Sequence, residues 1–193
     1  MFGISGFARS GKDTFGEALV HILKEYGIKA KTFALATQLK RDISFLTESD
    51  FGISAFTNEN SEKKIIRPLL VGYGESWRMA NPDHWINLLN DCLRDNFEFL
   101  PIVTDIRYEN EANFLLKNEG FLLNLNRQLL DGSYIEAPNN EEKINHPKVL
   151  DKCHWNLTWL TTDNQEEINQ IVENFVACAL ENKIEKWKAT YPL

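Results

Sequence analysis

Apolar residues recur along this chain in two alternating rhythms. Short runs at 1–5, 31–35, 99–104, 121–126 and 157–161 read as strands, and the continuous apolar run 99–104 reads as a buried parallel one. Pro101 falls near the start of its run, where the missing N–H costs the ladder least. Between the runs, apolar positions fall at helical spacing. Phe15, Ala18, Leu19, Ile22, Leu23 and Tyr26 make one face with Gly27 as its stop, and Leu39, Ile43 and Leu46 make a second. Pro68 suits the first turn of a helix running to about Ala80. Asn81-Pro82 suits the cap and first turn of the next, whose face is Trp85, Leu88, Leu89 and Cys92. Tyr108, Ala112, Leu115 and Leu116 precede a stop at Gly120, and Asp163 with Glu166 opens a helix carrying Ile168, Ile171, Val172 and Phe175. Residues 47–61 read as a loop. Residues 128–152 are polar, hold Gly132, Pro138 and Pro147, and are too long for an idle connection, which makes them a candidate lid. Strands alternating with helices predict an α/β fold, a parallel five-stranded sheet flanked by helices.

Composition narrows the classes. With 193 residues, 43% hydrophobic and 25% charged, the chain can bury a core of its own without disulfides or a structural metal. Its 28 acidic residues outnumber 21 basic ones, a net charge of −7 that argues against duplex nucleic acid as partner, so a phosphate site must be local. Cys92, Cys153 and Cys178 are odd in number and lack paired spacing, as expected of reduced cytosolic thiols. No long apolar run or signal-peptide start is present, which predicts a cytoplasmic protein with no membrane partner. His21, His146 and His154 lack the spacing of a zinc site.

The chemistry concentrates in Gly6-Phe7-Ala8-Arg9-Ser10-Gly11-Lys12, placed between the first strand and the first helix. Two glycines and a lysine at this spacing match a phosphate-binding loop, whose backbone N–H groups and helix N-terminus hold phosphate oxygens. Glycine permits positive φ and close approach of backbone to anion. Lys12 reaches the β and γ phosphates and, as a loop residue, is expected to bury no core surface. The position that normally carries Ser or Thr holds Asp13, followed by Thr14, and either can serve a magnesium ion. Asp105 ends the 99–104 run, at the sheet edge where ligands of open parallel sheets bind, and suits a metal's water shell or an acceptor phosphate. Tyr73 and Trp77 are candidate walls for a nucleobase, whereas Trp85 lies on an apolar helix face and reads as core.

The loop Arg9-Ser10-Gly11-Lys12-Asp13-Thr14 resembles that of the bacteriophage deoxynucleoside monophosphate kinases, in which Asp stands at the usual hydroxyl position. Phe33-Ala34, Leu39-Lys40, Arg67 with Leu69-Leu70, Gly74, Arg78, Asp83, Trp85, Asp105-Ile106-Arg107, Glu111, Gly120, Arg127 and His146-Pro147 follow in the same order. The resemblance implies a single P-loop NTPase domain with an acceptor-binding helical segment at about 37–97 and the lid at about 128–152. It implies a kinase that uses ATP and Mg²⁺ to convert a deoxynucleoside monophosphate to the diphosphate. Lys12, Arg78, Asp105 and Arg107 would then be catalytic. Gly6, Arg9, Ser10, Gly11, Lys12, Asp13, Thr14 and Arg127 would bind ATP. Lys40, Arg67, Tyr73, Trp77, Arg78 and Arg107 would bind the acceptor, and Asp13 and Asp105 would serve the metal. Arginine forks suit the several phosphate charges gathered in such a site. The resemblance also implies supply of DNA precursors, in a host cytoplasm if the source is viral, and allows a homodimer. Animal-type phosphomevalonate kinases have a similar Ser-Gly-Lys-Asp loop and Asp-x-Arg strand end, so phosphomevalonate or dephospho-coenzyme A is the alternative acceptor. A regulatory module that binds nucleotide without turnover is the alternative from another class.

Overall fold

A computed structural model describes residues 1–160, 162 and 164–193. The chain divides into two compact units, Met1–Phe33 with Leu93–Leu193, and Ala34–Cys92. In the first unit β1 (Phe2–Ser5), β2 (Ala30–Phe33), β3 (Leu100–Ile106), β4 (Phe121–Gln128) and β5 (Trp155–Leu160) form a five-stranded sheet in the order β2-β3-β1-β4-β5. Every pairing is parallel, with Phe2 opposite both Ile102 and Phe121, and Leu125 opposite Leu157. This is the parallel sheet the apolar runs predict.

Helix α1 (Lys12–Glu25) packs Phe15, Leu19 and Leu23 with Phe2 and Ile4 of β1, and with Val172 and Phe175 of a C-terminal helix. Gly3, the intervening residue of β1, faces Leu115 of α5 (Glu109–Lys117), so α1 and α5 cover opposite faces. The connection leaving β1 therefore runs over one face and that leaving β3 over the other, while the two strands are neighbours. Their carboxyl ends open a crevice at the topological switch point, the place where open α/β sheets bind ligands. The 6–11 loop follows β1 there and residues 107–108 follow β3, and both segments donate to Glu142.

The second unit holds α2 (Ala36–Phe51), α3 (Asn60–Ala80) and most of α4 (His84–Arg94). Here several sequence expectations need correction. Helix α2 runs on through Phe51 to Gly52, whose left-handed conformation (φ 64°) ends it, so the loop expected over 47–61 is confined to its middle. Thr47 is buried in place of Leu46, which is 41% exposed. Helix α3 starts two turns before Pro68, which lies inside it. Pro68 and Lys64 are both exposed, so water serves the Lys64 carbonyl that the proline ring leaves without a donor. On α4 the buried residues are Trp85, Ile86 and Leu89, and Cys92 is exposed.

The polar stretch 128–152 also departs from expectation. It opens with a tight turn, Leu129 N–H donating to Ser133 O and Ile135 N–H to Arg127 O, and then forms α6 (Asn140–Leu150). Asn139 caps α6 by accepting from Glu142 N–H, and Pro147 sits within it on a solvent-facing position. The last strand starts two residues before its predicted span. Thr161 and the expected cap Asp163 lie outside the described residues; the cap of α7 (Gln165–Phe175) is Asn164, which accepts from Glu166 N–H. A π-helical turn, Val176–Leu180, then leads into α8 (Glu181–Thr190), which adds Ile184 and Trp187 to the core.

Candidate active site

The 6–12 loop is held in a strained shape by specific neighbours. Gly6 (φ 142°), Arg9 (φ 70°) and Gly11 (φ 86°) all have positive φ. A Cβ on Gly6 would collide with the Leu125 carbonyl and lie 2.8 Å from Ser10 Oγ, and one on Gly11 would enter the Trp159 indole. Trp159, on β5, donates its Nε1–H to Ser10 O at 2.8 Å, so one side chain both covers the second glycine and fixes the loop backbone. Gly11 is the N-cap of α1 and has no side chain to offer, which leaves the first helical N–H groups without intrahelical partners beside the loop. Ser10 Oγ is buried with no hydrogen-bond partner.

Lys12 is buried, contrary to the expectation that a loop lysine buries no core surface. It is 8% exposed, and its Nζ donates to Gly6 O and Phe7 O, both at 2.8 Å. Burial, with Arg107 nearby, lowers its pKa to about 8, against the opposing pull of Glu142, Asp105 and Asp13. Asp13 accepts from Thr104 Oγ1 at 2.7 Å, which ties the start of α1 to β3, and Thr14 faces solvent.

Across the crevice, Glu111 of α5 accepts from the N–H groups of Arg107 (2.8 Å) and Tyr108 (3.0 Å), shaping the turn after β3. Arg107 Nη1 donates to Glu142 Oε1 at 2.8 Å, and Ala8 N–H of the loop donates to Glu142 Oε2 at 3.0 Å. Glu142 is 6% exposed. One turn further along α6, the His146 ring packs on Phe7 with centroids 4.3 Å apart, and burial lowers its pKa. Arg127, on β4, donates from Nη1 to Arg9 O at 3.3 Å. The sheet unit thus brings together Gly6, Arg9, Ser10, Gly11, Lys12, Asp13, Asp105, Arg107 and Arg127. It adds two residues that the sequence reading did not single out, Glu142 and Trp159. Asn139-x-x-Glu142 has the spacing of a capping box and was the available signal for α6.

The other candidates lie in the helical unit. Arg67 and Arg78 are on α3, eleven residues apart, hence on nearly the same face and about 16 Å apart along the axis. Tyr73 and Trp77 meet edge to face, and Trp77, 39% exposed, stacks on His84 with centroids 4.1 Å apart. Trp85 is 2% exposed and donates to Gly74 O at 3.2 Å, in keeping with a core role. Lys40 Nζ lies 5.5 Å from the centre of the Phe56 ring.

No family model matches the chain, and no curated protein does. Among solved structures it is similar to a shikimate kinase from Acinetobacter baumannii (15% identity, 94% of this chain and 93% of that one, TM-score 0.44). It is also similar to a dephospho-CoA kinase from Campylobacter jejuni (13% identity, 91% and 94%, TM-score 0.42). A gluconokinase from Sinorhizobium meliloti 1021 is a third (11% identity, 96% and 95%, TM-score 0.45). Likenesses this distant do not fix an activity or a substrate for this chain.

Proposed function

We propose that the chain is a phosphate-loop kinase that transfers the γ-phosphoryl group of ATP to the phosphate of a deoxynucleoside 5′-monophosphate. The observation that carries this reading is the loop itself. Three positive-φ residues open the backbone, Lys12 is buried at its centre, and Arg107 reaches the same place from the neighbouring strand end. A plain glycine turn has no need of a desolvated ammonium, whose burial lowers its pKa. In the transfer, the bond between the γ-phosphorus and the ADP oxygen breaks as one to an acceptor phosphate oxygen forms. That acceptor oxygen is already anionic, so the site needs positioning and charge neutralisation rather than a general base. Lys12 and Arg107 supply cationic donors, and the loop N–H groups orient the donor phosphates.

The residues fit a magnesium ion bound with the nucleotide. Mg²⁺ is usually held by one or two carboxylates together with phosphates and water, and Asp13 and Asp105 both act electrostatically on Lys12. No group of three or more potential protein ligands occurs among the described residues, so a nucleotide-independent cage is not part of this reading. When bound, the ion would neutralise phosphate charge. Arg78, Arg67, Lys40, Tyr73 and Trp77 are assigned to the acceptor on the resemblance, and Trp77 is exposed enough to meet a base.

The test is ADP release with a panel of acceptors. Turnover with one or more deoxynucleoside monophosphates, above that with phosphomevalonate, dephospho-coenzyme A and water, is the expected result. Preference for one of the other acceptors would keep the reaction and replace the substrate. Absence of ATP consumption with every acceptor would leave a nucleotide-binding module instead.

A further inference from the structure

We propose that the Glu142 carboxylate is a built-in ligand of the phosphate site, holding the donors of an incoming terminal phosphoryl group until a nucleotide displaces it. The proposal rests on the phosphate-loop reading above. Its basis is where the two oxygens go. A glutamate at the third position of a capped helix ordinarily turns back to the N-cap N–H. Glu142 instead reaches a loop 134 residues away, accepting from Ala8 N–H at 3.0 Å with one oxygen and from Arg107 at 2.8 Å with the other. An N–H of a phosphate loop and an arginine fork are the donors a phosphoryl group requires.

Competition follows from the chemistry. The Ala8 N–H makes one good bond, and Arg107 cannot serve a carboxylate and a phosphate with the same Nη1 hydrogen. Glu142 is buried, so a phosphate that took these two donors would leave the carboxylate without them and beside a like charge. The contact also involves the helix that carries it. His146, four residues on and so on the same face of α6, packs against Phe7 of the loop. Seating of Glu142 and docking of α6 on the loop are therefore one event, and release of Glu142 frees the helix. A merely structural Arg107–Glu142 pair would use the arginine but has no reason to take a loop N–H as well.

The test compares ATP and inorganic tripolyphosphate binding to the wild-type chain and to Glu142→Gln by titration calorimetry. Glutamine keeps the shape and can still accept from Ala8, but it carries no charge to compete. Both ligands should bind the variant at least tenfold more tightly, since the competition is for phosphate donors and not for the base. Equal or weaker binding by a folded variant would overturn the proposal and leave the phosphate loop standing. Failure of both ligands to bind either protein would instead overturn the phosphate-loop reading. If Glu142→Gln does not fold, Asn139→Ala decides. It keeps the carboxylate but removes the cap of α6, and it should tighten tripolyphosphate binding by up to about fivefold, the usual worth of a cap; no gain would overturn the proposal.

Discussion

In the sheet unit, the charged groups proposed for chemistry are tied to loop carbonyls and to buried side chains, whereas Arg67 and Arg78, proposed for the acceptor, lie on one side of a single long helix. Lys12 is tied to two loop carbonyls, Arg107 to Glu142, and Asp13 to Thr104. Arg67 is exposed and Arg78 half-buried; Tyr73 meets Trp77 edge to face, and Trp77 stacks on His84. The difference suits two tasks. Donor phosphates are chemically invariant and reward a preorganised site, in which the cost of ordering charged groups is met during folding. An acceptor varies in its body, and positions outside the core along one helix, with the arginines on one side and Tyr73 and Trp77 further round it, can be tuned without disturbing a core.

The strongest way to break this contrast is at Lys12. Lys12→Met keeps most of the buried stem and removes the ammonium. Turnover should fall by about 2–4 kcal/mol of barrier, roughly thirty- to a thousandfold, by analogy with other preorganised electrostatic contacts. The melting temperature should hold or rise, because burial already disfavours the charged lysine in the folded state. Single-turnover kinetics and circular dichroism on the same preparation separate these effects. Near-normal turnover would mean that the locked lysine is structural and that the sheet unit is not the donor site.

How much of this was legible in the sequence follows the same division. The five strands, the glycine loop and the α1 face were readable because apolar runs and the Gly6-to-Lys12 spacing are local signals. The extent of α3 and the existence of α6 were not, for one shared reason. Pro68 reads as a helix start and Pro147 as a loop marker, but each lies inside its helix at an exposed position, which leaves the carbonyl its ring orphans open to solvent. The locking partners were also hidden. Trp159 and Glu142 act on the loop from 149 and 134 residues away, and no local pattern announces such a pairing. The Gly6-to-Lys12 spacing marks Lys12 in the sequence, but its burial depends on residues far along the chain that close around it.

A smaller effect sharpens the helical side of the contrast. Arg78→Ala should raise KM for the deoxynucleotide and lower kcat/KM about ten- to a hundredfold, the worth of a charge-assisted hydrogen bond of roughly 1.5–3 kcal/mol. ATP affinity should be unchanged. Arg78→Lys should recover part of the loss, since an ammonium keeps the charge but not the two-pronged contact. Weakened ATP binding with normal acceptor kinetics would move Arg78 to the donor side and erase the distinction between the units.

The mildest effect is one of pH, and it belongs to the locked side alone. Lys12 titrates at about 8 in the folded protein and near 10.5 when unfolded. Between those values the unfolded chain binds more protons, so this residue makes stability rise as pH climbs from about 8 towards 10.5. Binding runs the other way. A bound phosphate favours the ammonium, so above pH 8 ATP binding must take up a proton, and its Kd should rise by up to about tenfold per pH unit until the liganded pKa is reached. Calorimetry at pH 9 in two buffers of different ionisation enthalpy measures that uptake directly, with an expected value approaching one proton per ATP. Lys12→Met should show none of it. An acceptor whose phosphate is fully ionised above pH 8 and whose binding does not involve Lys12 should show a KM that does not change over the same range. Equal pH dependence for ATP and acceptor would place Lys12 in contact with both and remove the proposed division between a donor site and an acceptor site.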